Sequence, residues 1–486
     1  MQNSFSLSIE EIQNYYLKKP FLSKMYHYYE NNGYYNIISK QIVFILNNTF
    51  ILVYSLFLFR CVDWHRLLTL ENKTHLNEII DMSHLFSLSL YNWTLVIAFI
   101  FFIVCKLIEL FRDIIKYRYV KYFYNIVLNI TDQELVTLKW AHVIDKFKTL
   151  YGNDDINVFY INNKITIKDN YFITIFDKNI LKIGYLTPLM EWNIFYCFVG
   201  PMFDADFRYK NEFLFINDKF IKAVKDKTRT VAVANFIFMP LLLPFLILRN
   251  LFKYGEKFYN KPELLSSRHW SHNAKWKFRN YNELYHEFHD KLITSMKVAN
   301  DYSNQFPIRI LGTFAEFIVF ILSSFFIILV FATIINDGVL LHLYIVDKKN
   351  VIWFLGIFAT IIAILRTIIK DRIIYYPNEK LKELKRILNT IDETNIKDKK
   401  HPDYFFNMYQ FHIASLVKDV IHTLMVPFRL YELSFGIDKT MNYLSDITIN
   451  SSRIGHTNKF ALFNHQENDM RTCLSKETFS LNNEGY

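Results

Sequence analysis

Apolar residues in this chain gather into a few long blocks rather than alternating faces. Five blocks have the length and apolarity to enter a bilayer: Ile42–Phe59, Leu85–Cys105, Val231–Leu248, Phe317–Ile335 and Val351–Leu365. A helix needs about 20 residues to cross the hydrocarbon. The fourth block carries no charge, and the fifth reaches Ile369 once Arg366 is allowed to snorkel. The third reads Phe238-Met239-Pro240-Leu241-Leu242-Leu243-Pro244-Phe245. Two prolines four residues apart remove two backbone donors and kink a helix. A straight lipid-facing span cannot leave the freed carbonyls unsatisfied. The pattern predicts a re-entrant pair of short helices over 231–250. A weaker segment of the same kind, 413–435, contains Pro427. There Lys418, Asp419 and Arg429 oppose a full crossing, at about 2.5 kcal/mol or more for each central charge.

Flanking charge orients the four remaining spans. Lys18, Lys19, Lys24 and Lys40 precede the first; Lys106, Arg112, Lys116, Arg118 and Lys121 follow the second. Arg366, Lys370, Arg372, Lys380 and Lys382 follow the last, whereas only Lys348 and Lys349 lie between the last two. Positive-inside logic then places both termini in the cytosol. The expected order is a cytosolic N-terminal arm (1–37), transmembrane helices 1 and 2 (38–110) around a lumenal loop (62–84), and a cytosolic helical region (111–310). Transmembrane helices 3 and 4 (311–370), a cytosolic C-terminal core (371–465) and a disordered polar tail (466–486) complete it. The sequon Asn72-Lys73-Thr74 falls in the lumenal loop and makes Asn72 the glycosylation candidate. Ser8 and Glu11 form a capping-box pair opening an amphipathic N-terminal helix. Ile156–Asp177 is ambiguous, because its Ile-Thr-Ile and Phe-Ile-Thr-Ile-Phe runs have the β-branched content of strands.

Composition sharpens this reading. Of 486 residues, 52% are apolar and 18% aromatic, with only 11 Gly and 10 Pro, which excludes a disordered or collagen-like chain. The net charge of +10 fits Lys and Arg gathered in loops facing anionic lipid rather than nucleic acid. Cys61, Cys105, Cys197 and Cys473 are widely spaced, without C-x-x-C, so neither a disulfide framework nor a zinc site is expected. The first 30 residues lack an apolar core, so no cleavable signal is expected and the first span targets the chain. No G-x-x-x-x-G-K-[ST] or G-x-S-x-G occurs. His286-Glu287-Phe288-His289 has its histidines three apart rather than four, and reads as a solvated helix face rather than a metal site.

Several blocks resemble the autophagy-related protein 9 family. They are Cys61-Val62-Asp63-Trp64; Lys168-Asp169-Asn170-Tyr171-Phe172-Ile173; Leu189-Met190-Glu191-Trp192-Asn193-Ile194-Phe195-Tyr196-Cys197 closed by Phe203-Asp204; and Arg268-His269-Trp270-Ser271. The last is followed by Ala274, Trp276, Phe278-Arg279, Asn282-Glu283-Leu284, His286 and Gln305-Phe306-Pro307. The series runs from about Phe21 to Phe463. The resemblance implies an all-α polytopic membrane protein with four transmembrane helices and two re-entrant elements, assembled as an interlocked homotrimer. It implies helix for Ile156–Asp177. It further implies a phospholipid scramblase acting in phagophore expansion, supplied by autophagy lipid-transfer proteins and other autophagy factors. The compartments implied are the phagophore assembly site, Golgi- and endosome-derived vesicles and the endoplasmic reticulum. The sequence departs from the family in its short tails and in Tyr259-Asn260-Lys261-Pro262, where only Lys261 keeps a charge.

Such a function needs polar groups at membrane depth, so that headgroups avoid hydrocarbon while the tails stay in lipid. The candidates are Asn47, Asn48 and Thr49 in the first span, Asn235 in the re-entrant segment, and Lys261 and Arg268 just outside it. Arg309 and Glu316 lie at the mouth of the third span, and Lys418, Asp419 and His422 in the last embedded stretch. Any of them can equally bond a neighbouring helix or snorkel. With no nucleotide motif and no cofactor expected, transport would be passive. Rival readings are an ion or small-solute channel on the same trimer pore, a non-transporting vesicle scaffold and, behind these, a membrane enzyme.

Overall fold

The computed structural model describes residues 18–68, 75, 78–82, 90–151, 157–204, 207–260, 267–306, 309–336, 338–346, 349–366, 369, 376–389, 401–463 and 470–483. The capping pair Ser8 and Glu11, the sequon Asn72 and Lys261 lie outside them. Helix dominates the described residues, with three two-stranded antiparallel pairs added to the expected all-α plan.

The first described helix, α1 (Lys19–Glu30), starts with Pro20 in its first turn, where the proline ring suits helical φ and no donor is lost. It buries Phe21, Leu22, Met25, Tyr26 and Tyr28, so this part of the expected arm is a core element. The turn after it uses Asn32 and Gly33 at φ 54° and 101°. A Cβ on Gly33 would meet Asp132 Cγ at 2.7 Å, so both backbone and space require glycine there. Helix α2 (Tyr34–Leu56) continues through a π-helical turn to Cys61. Helix α3 (Leu90–Tyr122) extends well past the apolar block that predicts it. The two pack antiparallel: Gln41 Nε2 donates to Asp113 Oδ2 at 2.8 Å at one end, and Val62 bridges to Ile80 beyond the other. Phe21 packs edge-on against Phe123, and Tyr28 stacks on Tyr124 with centroids 4.7 Å apart.

Helix α4 (Val158–Asp177) resolves the strand-or-helix ambiguity in favour of helix. Asn157 caps it, accepting from Tyr160 N at 2.8 Å. Most of its circumference is buried, including Asn163, Asn170 and Thr174. Tertiary packing therefore overrides the β-branched preference.

Helix α5 (Asp218–Asn260) contains Pro240 and Pro244. It bends by 62° between a limb Asp218–Pro240 and a limb Leu242–Phe252. The expected pair of short helices is thus corrected: the first limb is long and begins well before the apolar stretch. Strand β1 (Arg268–Trp270) leads toward α6 (Tyr285–Asn304), α7 (Arg309–Ile335) and α8 (Val351–Arg366). Helices α7 and α8 form a hairpin whose apolar side chains face outward, with Phe320 70% and Ile335 83% exposed. Strand β2 (Tyr409–Phe411) pairs antiparallel with β1, setting Arg268 opposite Phe411 and Trp270 opposite Tyr409. Helix α9 (His412–Leu433) follows directly and holds Pro427. Among the described residues, Tyr34–Cys61 and Gly312–Ile335 are long and apolar enough to cross a membrane, the bent α5 pair adds a third candidate, and α8 is shorter at 16 residues.

Helices α5 and α9 run antiparallel along their length. Arg229 Nε donates to Ser434 Oγ at 3.3 Å, Phe236 meets Phe428 at 5.9 Å, and Tyr254 meets His412 at 6.5 Å. The second limb of α5 also touches α2 through Tyr54–Phe252 and α3 through Phe99–Phe245.

The expected disordered tail is a second correction, because helix α10 (Met470–Asn483) folds onto the core. Arg471, Thr472 and Ser475 are buried. A polar sequence is held there by hydrogen bonds together with the packing of Phe479 on Phe159 and Phe463.

Candidate lipid headgroup site

The β1–β2 pair fixes the start of α9 against the Arg268-His269-Trp270-Ser271 segment, and His412 N donates to Ser267 O at 3.1 Å. Ser271 then caps the short helix His272–Phe278, accepting from Ala274 N. Asn273 projects from that helix onto the loop at Tyr185. Its Oδ1 accepts from Leu186 N and its Nδ2 donates to Gly184 O, both at 2.7 Å. This two-sided clamp presents Tyr185 to α9. Tyr185 Oη donates to Asp419 Oδ1 at 3.0 Å, and its ring stacks on His422 with centroids 4.5 Å apart.

Further polar groups surround this contact. Lys275 lies in the field of both Asp419 and Glu191, and burial lowers its pKa. Burial raises the Glu191 carboxyl, and His272 Nδ1 stands 3.9 Å from Glu191 Oε2. His269 stacks on His412 at 4.0 Å. Burial pushes His269 down to about 3 and His272 to about 4, and neighbouring cations add to both shifts. Both imidazoles are therefore neutral at neutral pH. The arrangement combines a carboxylate, a phenol, imidazoles and an ammonium beside the proline-bent α5 and the proline-containing α9. These groups can accept from a headgroup amine and donate to its phosphate. Among the described residues no three His, Cys, Asp or Glu side chains converge as a metal would need.

The sequence candidates divide among several places. Asp419 and His422 meet at Tyr185, while Lys418 is half-buried on the same helix. Asn235 is buried and donates to Asn193 Oδ1 at 3.1 Å, a polar pair between α5 and the helix Pro188–Ile194. Asn48 and Thr49 donate to the carbonyls of Phe44 and Ile45 one turn back, and Asn47 is exposed. The Arg268 guanidinium lies between the rings of Phe406 and Phe411, at 4.2 and 4.1 Å. Glu316 is exposed; Arg309 opens α7, and its side chain lies outside the described residues. His286 is held by Tyr26, whose hydroxyl lies 2.9 Å from Nδ1. Tyr185, His269, His272, Asn273 and Lys275 are absent from the sequence candidates. The available signal was the polar density of the stretch from Arg268 to Lys275; nothing local marks Tyr185.

Apolar helices of spanning length, set on a buried helical core with the bent α5 and the proline-containing α9 alongside, define a helical polytopic membrane protein. The family model described as Autophagy protein ATG9 matches residues 10–464. The chain belongs to that family. It is 28% identical to Autophagy-related protein 9 of Kluyveromyces lactis over 94% of this chain and 53% of that one. With the same protein of Saccharomyces cerevisiae (strain S288c) the figures are 28%, 95% and 49%. With that of Dictyostelium discoideum they are 26%, 89% and 64%. The chain thus spans about half the length of the curated yeast relatives it matches. The cryo-EM structure of Schizosaccharomyces pombe Atg9 superposes with a TM-score of 0.72 at 24% identity, covering 94% of this chain and 100% of that chain.

Proposed function

We propose that the chain is a passive phospholipid scramblase of autophagy membranes. It works as an interlocked homotrimer, each protomer with four transmembrane helices and two re-entrant elements and with both termini in the cytosol. Its lipids come by way of autophagy lipid-transfer proteins and other autophagy factors at the phagophore assembly site and on Golgi- and endosome-derived vesicles. The observation that carries this reading is the antiparallel pairing of proline-bent α5 with α9, with Asp419 and His422 of α9 engaged by Tyr185. A bend within apolar sequence interrupts the lipid-facing surface. Polar groups beside it give a headgroup partners that hydrocarbon lacks. The outward apolar faces of the α7–α8 hairpin are suited to lipid and to neighbouring protomers.

The test is reconstitution of the full chain into vesicles containing fluorescent phospholipid, with dithionite quenching run beside an ion-flux measurement. Scrambling should render inner-leaflet lipid quenchable, and Asp419→Leu should slow it while trimer assembly is unchanged. Ion flux without lipid exchange would establish the channel instead. Assembly with neither activity would leave a scaffold.

Topology has its own test. In a background with the exposed Cys105 and Cys473 changed to serine, single cysteines at Thr230 and Lys253, on either side of the bend, should both react with impermeant reagent from the cytosolic side. Lumenal labelling of either one would make α5 a true crossing and reverse the orientation of everything after it.

A further inference from the structure

We propose that a basic cavity between α1, α4 and the Gly455–Asn458 strand binds a ligand carrying two or more phosphate groups: an inositol polyphosphate, free or as a phosphoinositide headgroup. This site does not depend on the lipid-transport reading, since it uses none of the residues around Tyr185.

The cavity has a volume of about 400 Å³, within the range of small-molecule sites. Lys18 and Lys19 at the start of α1, Lys164 of α4, Arg208 and His456 line it, and among the described residues no carboxylate does. Lys168, one helical turn beyond Lys164, stands 4.2 Å from the centroid of the Phe207 ring, and Lys19 stands 5.1 Å from the same ring. Phe203 lies 5.8 Å from Lys19 and 5.6 Å from Lys168. The two aromatic faces therefore gather ammonium groups from separate elements at one edge of the cavity. Among the described residues, none of these lysines, nor Arg208, makes an ion pair. Asp169, the acid in the field of Lys19, is already held by Arg279 at 2.8 Å. Elsewhere the core neutralises its buried cations: Lys291 by Glu283 at 2.5 Å and Arg471 by Asp177 at 2.8 Å.

Convergent positive charge without a counter-ion raises the free energy of the unliganded state. Burial and the nearby Lys168 and Lys164 bring Lys19 down to about 7, and burial lowers Lys164 and Lys168 as well. A polyanion would reverse that penalty and charge Lys19 fully. Several point-like ammonium donors with one guanidinium fork suit vicinal phosphates spread around a ring, rather than a single carboxylate. A zwitterionic headgroup has one phosphate and a cation of its own, which this lining would repel.

The full chain, purified in detergent free of anionic lipid, should be titrated calorimetrically with inositol 1,4,5-trisphosphate and separately with dioctanoyl phosphatidylinositol 4,5-bisphosphate. Binding should weaken as salt rises. Lys164→Gln with Lys168→Gln should weaken it about tenfold or more through lost charge-assisted bonds, and exposed Lys382→Gln should not. Binding of both probes identifies the phosphate ring as the ligand; binding of the lipid form alone identifies a membrane headgroup. Arg208→Gln, on an exposed side chain, repeats the test should the double variant fold poorly. Failure of the native chain to bind either probe would overturn the proposal, as would undiminished binding by well-folded Arg208→Gln and double variants.

Discussion

Replacing Asn282 with leucine should destabilise the chain by about 3 kcal/mol or more, through lost buried hydrogen bonds and a strained backbone. Asn282 is fully buried and sits at φ 58°. Its Oδ1 accepts from Asn163 Nδ2 at 3.0 Å and Asn170 Nδ2 at 2.9 Å, and its Nδ2 donates to Ala461 O at 2.7 Å. Its backbone N donates to Asn170 Oδ1 at 2.9 Å. The network continues from Asn458 Nδ2 to Thr174 Oγ1 and from Thr457 Oγ1 to Asn163 Oδ1. One side chain thus joins α4, the loop before α6 and the segment at Ala461. Leucine would strip three buried polar groups of their shorter bond, at about 1 kcal/mol or more each, while Asn163 Nδ2 keeps Ala461 O at 3.4 Å and Asn170 Nδ2 keeps Thr166 Oγ1 at 3.3 Å. It would also be forced into the left-handed region, which asparagine tolerates and leucine does not. Asn282→Gly, which accepts that φ but loses the side-chain bonds, should fall between native and leucine. Thermal unfolding in detergent checks this, with a fall of about 3 °C or more expected for leucine. A leucine variant melting like the native chain would show that the network contributes nothing.

Arg471→Met should release the C-terminal helix, at about 3 kcal/mol for a buried charged group losing its bonds. Arg471 is 6% exposed. Its Nη1 donates to Asp177 Oδ1 at 2.8 Å, and its Nη2 donates to Trp276 O at 2.9 Å and Arg279 O at 2.6 Å. Those carbonyls lie at the end of the helix His272–Phe278, where a cation is favoured. Lys178, 3.3 Å from Asp177, keeps that carboxylate partly neutralised, so the loss lies at the lower end for a broken buried pair. Arg471→Lys retains the charge but not the planar fork that reaches three acceptors, so it should recover only part of the loss. Limited proteolysis should detect the change as new cleavage between Phe463 and Met470, with the rest of the core resistant. Equal protease resistance in the native and methionine forms would mean that α10 is held by its aromatic contact alone, Phe479 against Phe159 and Phe463.

Both substitutions bear on the candidate headgroup site indirectly. The helix His272–Phe278 carries Asn273, which clamps Tyr185, and Arg471 caps its far end. The polar core thereby sets where Tyr185 meets Asp419.

The apolar blocks, the prolines at 240, 244 and 427 and the family motifs were all legible along the chain. The bilayer and the proline ring act on a few neighbouring residues, so their demands are written locally. The five described apolar helices fall where those blocks predict, and α5 bends at its prolines. Tertiary structure decided what local pattern could not. Helix α4 overcame a strand-like sequence because its surroundings bury it and complete its asparagines. Helix α10 escaped recognition because its inward face carries Arg471, Thr472 and Ser475, whose partners lie far away in sequence. The meeting of Tyr185 with Asp419 joins residues 234 positions apart, and the basic cavity draws its lysines and arginine from three separate segments. Hydrophobic patterning reports where a residue can be buried. Which polar groups meet there depends on how distant segments dock, because a hydrogen bond exists only when both partners arrive.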